Sequence, residues 1–110
     1  MTRPGSTSIP RLAVLSVLAG GNRHAYEIGR LITEGSGGAI QIGDGTLYPL
    51  LQALDSDGML ESWEDHSSTG RSVRMYALRR RGHEELERLT RAWEREADGM
   101  RRLLQTRSGR

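Results

Sequence analysis

Between Arg80 and Gln105 the chain carries one unbroken helical pattern in which Leu86, Trp93 and Met100 recur every seven residues. Thr90, Ala97 and Leu104 form a companion row, offset to complete a heptad-like seam, and Leu89 and Leu103 widen it. A helix of about 25 residues spans roughly 38 Å, more than a small domain can cover. Its apolar stripe has to find another surface, and a second copy of the chain supplies one. Leu86, Leu89, Trp93, Met100 and Leu104 are the residues assigned to that homodimer contact.

Composition points the same way. With 110 residues, 35% of them apolar and no phenylalanine, the chain fits one domain with a modest core. Cysteine is absent, which excludes disulfides and thiolate metal sites and suits a reducing cytosol. All sixteen basic residues are arginine. A GC-rich coding bias explains that, and the planar fork of the guanidinium also suits phosphate and guanine. Net charge is only +2, so a nucleic-acid footprint must come from where the charges sit. They segregate: residues 71–81 hold five arginines and no acid, residues 55–65 five acids and no base.

The run Leu12–Gly21 after Arg3 has the outline of a signal peptide. Arg11 directly precedes it, no small-residue cleavage site follows, and it is too short to cross a bilayer. It reads as a buried helix of a soluble, cytoplasmic protein with no membrane partner.

Four helices and a hairpin follow from the pattern. Residues 1–8 form a loose polar arm. Pro10 suits the first turn of a helix carrying Leu12, Val14, Leu15, Val17 and Leu18, which Gly20-Gly21-Asn22 ends. A second helix covers about His24–Gly35, and Ala39–Ile42 reads as a minimal strand or extended turn. A third covers about Gly45–Asp57, with Leu47, Leu50, Leu51 and Leu54 at helical spacing and Gly58 as terminator. Asp44 or Thr46 caps it; Thr46 would put Pro49 at the third helical position, where no bond is lost. Leu60–Glu64 and Val73–Leu78 are strands, and the turn chemistry of residues 66–70 makes them a hairpin with a polar, flexible tip. Trp63 on its first strand is expected to cover the core. Residues 106–110 are a frayed tail.

This is a mostly α fold with a small β-hairpin wing: a winged helix-turn-helix over residues 9–79 and a dimerisation helix over 80–105. Such an order seats a third helix for the major groove and lays a wing beside the duplex. Within it, residues 24–28 (HAYEI), 45–60 (GTLYPLLQALDSDGML) and 70–78 (GRSVRMYAL), followed by Arg81-Gly82-His83, resemble the PadR-like family of bacterial transcriptional regulators. The chain departs from that family's usual pattern at Ala25, at Val73-Arg74-Met75-Tyr76 and at Arg79-Arg80. The resemblance covers about residues 9–105. It implies double-stranded DNA as a partner, with Gly45, Thr46 and Tyr48 opening the recognition helix and Thr46 and Tyr48 near phosphates or base edges. Gln52, one turn on, either reaches a base or stands idle on an exposed face. Tyr26 either lies close to the DNA backbone or packs in the core between the second and third helices. Arg71 and Arg74 are wing contacts or a solvated basic strand.

The single C-terminal helix is similar to a compact subgroup of the family that includes a multidrug-responsive regulator. That similarity implies a small hydrophobic or aromatic effector at the dimer interface, with Trp93 as its stacking residue and Ala97 and Met100 as neighbours. The alternative for Trp93 is simple interface packing. The family implies a repressor acting on a pseudo-palindromic operator with half-sites about 34 Å apart or a multiple of it.

Catalysis has little to build on. His24, His66 and His83 lie in separate elements without metal-ligand spacing, and no metal or cofactor is expected. Asp55-x-Asp57-Gly58 lacks the further ligands of a calcium loop, and Gly43-Asp44-Gly45 the lysine of a phosphate loop. The competing reading is a winged-helix adaptor or sensor that binds proteins instead of DNA, which the low net charge favours.

Overall fold

A computed structural model describes residues 8–66 and 70–108. Nearly all of the expected N-terminal arm, the tip of the hairpin at 67–69 and the last two residues of the tail lie outside the described residues.

Helix α1 spans Ile9–Ala19. Ser8 caps it, its Oγ accepting the Arg11 N–H at 3.3 Å, and Pro10 sits in the first turn, where its missing N–H costs no bond. Val14, Leu15 and Leu18 form its buried face. A two-residue strand, β1 (Arg23–His24), precedes helix α2 (Ala25–Gly35), whose Ile28 and Ile32 are buried one turn apart. Between α2 and the next helix the chain makes a turn, held where Ser36 Oγ accepts the Ile40 N–H at 2.9 Å, and no strand forms at 39–42.

Helix α3 spans Asp44–Ser56. Its N-cap is Gly43, against the expectation of Asp44 or Thr46: the Gly43 carbonyl accepts the N–H groups of Thr46 at 3.0 Å and Leu47 at 2.9 Å. Pro49 therefore lies inside the helix rather than at its third position. The acceptor it fails to serve is the carbonyl of Gly45, an exposed residue of the first turn, where water can replace the lost bond. Gly58, at φ +78°, turns the chain out of α3 in a conformation that favours glycine.

Strands β2 (Leu60–His66) and β3 (Ser72–Leu78) pair antiparallel from Leu60↔Leu78 to His66↔Ser72, a longer ladder than the pattern of apolar residues marks. β1 pairs with the other edge of β3, Arg23 opposite Tyr76 and His24 opposite Met75, so the sheet order is β1-β3-β2. The core lies where α1, α2 and α3 meet the base of this sheet, on Leu15, Ile28, Leu51, Leu54 and Leu60. Trp63 does not cover it. Leu60 is buried and the Ser62 hydroxyl donates to Asp55 Oδ2 of α3 at 2.6 Å, so their row faces inward. Successive side chains alternate across a sheet, which turns Trp63 to the other face, 38% exposed, opposite Met75.

Helix α4 spans Arg80–Ser108, 29 residues or roughly 43 Å, and draws the molecule out to 62 Å by 27 by 24 Å. Its first turn is fastened to the end of β2's approach: the Arg79 N–H reaches the Met59 carbonyl at 2.9 Å and Arg81 Nη1 donates to the Asp57 carbonyl at 2.8 Å. Leu89 and Ala92 are buried where α4 lies along α1. Leu89 was assigned above to the homodimer contact; at 3% exposure it belongs to the protomer's own core. It lies about 40° around the helix from Trp93 at 100° per residue, enough to turn it toward α1. Leu86 is half-buried against the same core, whereas Trp93 (41%), Met100 (55%) and Leu104 remain exposed. No helix among the described residues is long and apolar enough to cross a membrane.

Candidate nucleic-acid interface

The start of α3 stands on the surface because its first turn carries no large apolar side chain. Asp44, Gly45 and Thr46 are exposed, Leu47 is the first residue to turn inward, and Tyr48 turns out again, half-exposed. Gln52 is exposed one turn beyond Tyr48, on the same side of the helix. Beside this helix stands the first turn of α2. Tyr26 there is 76% exposed, which removes the alternative of a core tyrosine between the two helices.

Between these helices and the wing lies a cleft of about 580 Å³ that Tyr26, Tyr48, Arg71 and Arg74 line together, drawn from three separate stretches of sequence. Arg71 and Arg74 are both exposed. The register sets Arg74 directly opposite Glu64, and Glu64 Oε1 accepts the Ser72 hydroxyl at 3.3 Å. Tyr76 forms the floor. Burial raises its phenol pKa, Arg74 opposes that shift, and Asp55 and Tyr48 add to it, so the hydroxyl stays neutral. A neutral floor between two guanidinium groups and two tyrosine hydroxyls is suited to a phosphodiester: cations to offset its charge, and phenols to donate hydrogen bonds. Gly45, Thr46 and Gln52 lie outside this cleft, along the exposed face of α3.

Sequence reasoning missed three polar residues of the cleft, His24, Ser72 and Tyr76, along with Ala25 and Val73. His24 enters because β1 pairs with β3, a two-residue strand with no periodicity to reveal it. The signal that was available is Glu27 three residues on. Its Oε1 accepts the His24 N–H at 3.0 Å while the His24 side chain faces the Glu27 backbone N–H in return, the reciprocal arrangement that opens a helix.

A second hollow, about 290 Å³, lies at the other end of the domain between α1 and α4, lined by Ile9, Leu12, Ala13, Leu86, Thr90 and Trp93 among others. Trp93 is thus on an apolar groove, as a ligand-contacting role requires. Ala97 and Met100 are not; they lie farther out on α4. Among the described residues no three His, Asp or Glu side chains gather as a metal site would need.

The profile of the transcriptional regulator PadR-like family matches residues 14–88, which take in α2, α3, the wing and the first third of α4. Among solved structures, the smu.1704 protein of Streptococcus mutans UA159 is 24% identical and superposes with a TM-score of 0.78, over 96% of this chain and 94% of that one. A PadR family transcription regulator from Clostridium difficile R20291 is 23% identical, with a TM-score of 0.76 over 88% of this chain and 99% of that one. Bacillus subtilis PadR in complex with operator DNA is 25% identical, with a TM-score of 0.65, over 72% of this chain and 45% of that one. No curated protein matches the sequence significantly.

Proposed function

The chain belongs to the PadR-like family of transcriptional regulators, which are not enzymes, and from that premise we propose that it is a cytoplasmic repressor that binds an operator as a homodimer. The observation that carries the DNA half of this reading is the convergence of Tyr26, Tyr48, Arg71 and Arg74 on one cleft beside the exposed start of α3. The B. subtilis relative was solved with operator DNA, which supports the same use of this face. Gly45, Thr46 and Gln52 then lie along the major groove, and the wing arginines grip the backbone.

Pairing of two copies is supported by Trp93, Met100 and Leu104, an exposed apolar row at heptad spacing on a helix that outruns its own domain. Leu86 borders the same row. Two reading heads so joined suit a pseudo-palindromic operator. An aromatic effector seated against Trp93 in the α1–α4 groove would change DNA affinity only through a difference in its affinity for the bound and free dimer.

DNA selection with the purified protein tests the proposal, since the recovered motif reports symmetry and half-site spacing together. A gel shift on that motif at two salt concentrations should show steep weakening, with a log–log slope near −0.9 per phosphate neutralised. Failure to enrich any duplex would favour the adaptor reading, for which the net charge of +2 is the supporting observation.

A further inference from the structure

What α3 offers to a base edge is set by the exposed face of the helix. At 100° per residue, Gly45, Pro49, Gln52 and Ser56 fall within an arc of about 60°, with Ala53 on its border, and all five are exposed. None of them is charged. The two acids of α3 lie off this arc: Asp44 lines a hollow against α2 with Tyr26 and Arg30, and Asp55 Oδ2 takes the Ser62 hydroxyl at 2.6 Å. No arginine occurs anywhere in α3, in a chain whose sixteen basic residues are all arginine. The bidentate pair between a cationic side chain and guanine, the commonest specific contact in a major groove, is therefore not available from this helix. Gly45, Pro49, Ala53 and Ser56 are short, so the helix can approach a groove floor closely, and Gln52 alone extends beyond them. Its amide makes no hydrogen bond to any described residue.

We infer that Gln52 reads an adenine in each half-site through N6 and N7 in the major groove, so that α3 specifies A·T pairs and not guanine. The inference rests on the DNA reading given above and names the base that this face selects. A carboxamide carries an acceptor and, beside it, a donor. Adenine presents the matching pair, the N6 amino donor and the N7 acceptor. Guanine presents two acceptors, and its O6 would face the Gln52 carbonyl oxygen with no proton between them. Cytosine and thymine each leave one half of the amide unserved. The neighbours of Gln52 add apolar surface: Pro49 one turn before it and Ala53 next to it are exposed and suit the C5-methyl group of thymine. The arginines for the DNA backbone stand on the wing and the base-reading amide on α3, so the two roles can be removed separately.

The test uses the full chain and the duplex motif recovered by selection from random sequence. The wild type should recover an adenine at one matched position of each half-site, and replacing it by guanine, cytosine or thymine should weaken binding about tenfold or more in anisotropy titrations. Gln52→Ala should bind duplexes with any base at that position within about twofold of one another and keep the other preferences of the motif. Gln52→Arg should move the preference at that position to guanine. 7-Deazaadenine, which lacks the N7 acceptor, should weaken binding by the wild type and leave Gln52→Ala unaffected. Both variants change an exposed side chain without a partner among the described residues, so their melting temperatures should match the wild type. A motif without adenine in its half-site, or an adenine preference that survives Gln52→Ala, would overturn the inference while leaving the DNA reading intact. Failure to enrich any duplex would overturn both.

Discussion

Arg11 of α1 and Glu85 of α4 meet across the junction of the two helices, Nε donating to Oε2 at 3.0 Å, and this pair ties the projecting helix to the domain that it serves. The same carboxylate takes Arg88 on both oxygens, at 2.9 and 3.0 Å, so one acid gathers two cations seventy-seven residues apart in the chain.

Hydrogen bonds from Arg88, then from Arg11, hold the Glu85 carboxyl below its ordinary value of 4.5, against the opposing effect of burial. A folded-state pKa below the unfolded one gives stability that is complete above the unfolded value and is lost as pH falls through the folded one. The melting temperature should therefore be level above about pH 5 and decline below about pH 4. Glu85→Gln should lower the stability near neutrality by about 1 kcal/mol and flatten the acid decline. Calorimetry across this range checks both; an unchanged acid limb would separate the ion pair from stability.

Two glycines of α4 should respond to alanine with opposite signs. A methyl group on Gly82 would collide with the Met59 carbonyl oxygen and the Leu78 side chain, so Gly82→Ala should destabilise by about 1–3 kcal/mol despite the better helix former. Gly99 has nothing near its would-be methyl, and Gly99→Ala should stabilise by about 0.5–1 kcal/mol. Thermal melts of the two variants read the difference directly.

Arg74→Ala should weaken binding to all duplexes alike and reduce the salt slope by about 0.9 per protomer. A loss confined to one base position of the selected motif would contradict a backbone role. Tyr26→Phe should weaken binding too, with little change in melting temperature, since the side chain is mostly exposed.

Met100→Asp and Leu104→Asp place a charge on the outer apolar row of α4. Each should shift sedimentation from dimer toward monomer with the single-domain melt preserved. Leu89→Ala behaves differently: it opens a cavity in the protomer, costs about 2–5 kcal/mol and lowers the melt at every concentration. For the effector, Trp93→Ala that keeps both ligand affinity and ligand response would remove the α1–α4 groove from consideration.

Much of this protein is written in local pattern. Pro10, the Leu47–Leu54 spacing and Gly58 place the ends and faces of α1 and α3 to within a residue or two, and the heptad row through Trp93 announces a helix longer than its domain. The family motifs likewise single out Tyr26, Tyr48, Arg71 and Arg74 from the sequence alone. These are statements about neighbours three to seven residues apart, for which helix and strand geometry suffices. Tertiary structure decided the rest. That Tyr26 faces outward, that Leu89 turns into α1 and that Trp63 leaves the core depend on which surface arrives from a distant part of the chain. His24 joins the cleft only because Arg23 and His24 pair with Tyr76 and Met75, some fifty residues on. A periodicity marks that a face is apolar or a strand is present; the partner across from it is set by packing, and the cleft between the helices and the wing exists only after that packing is complete.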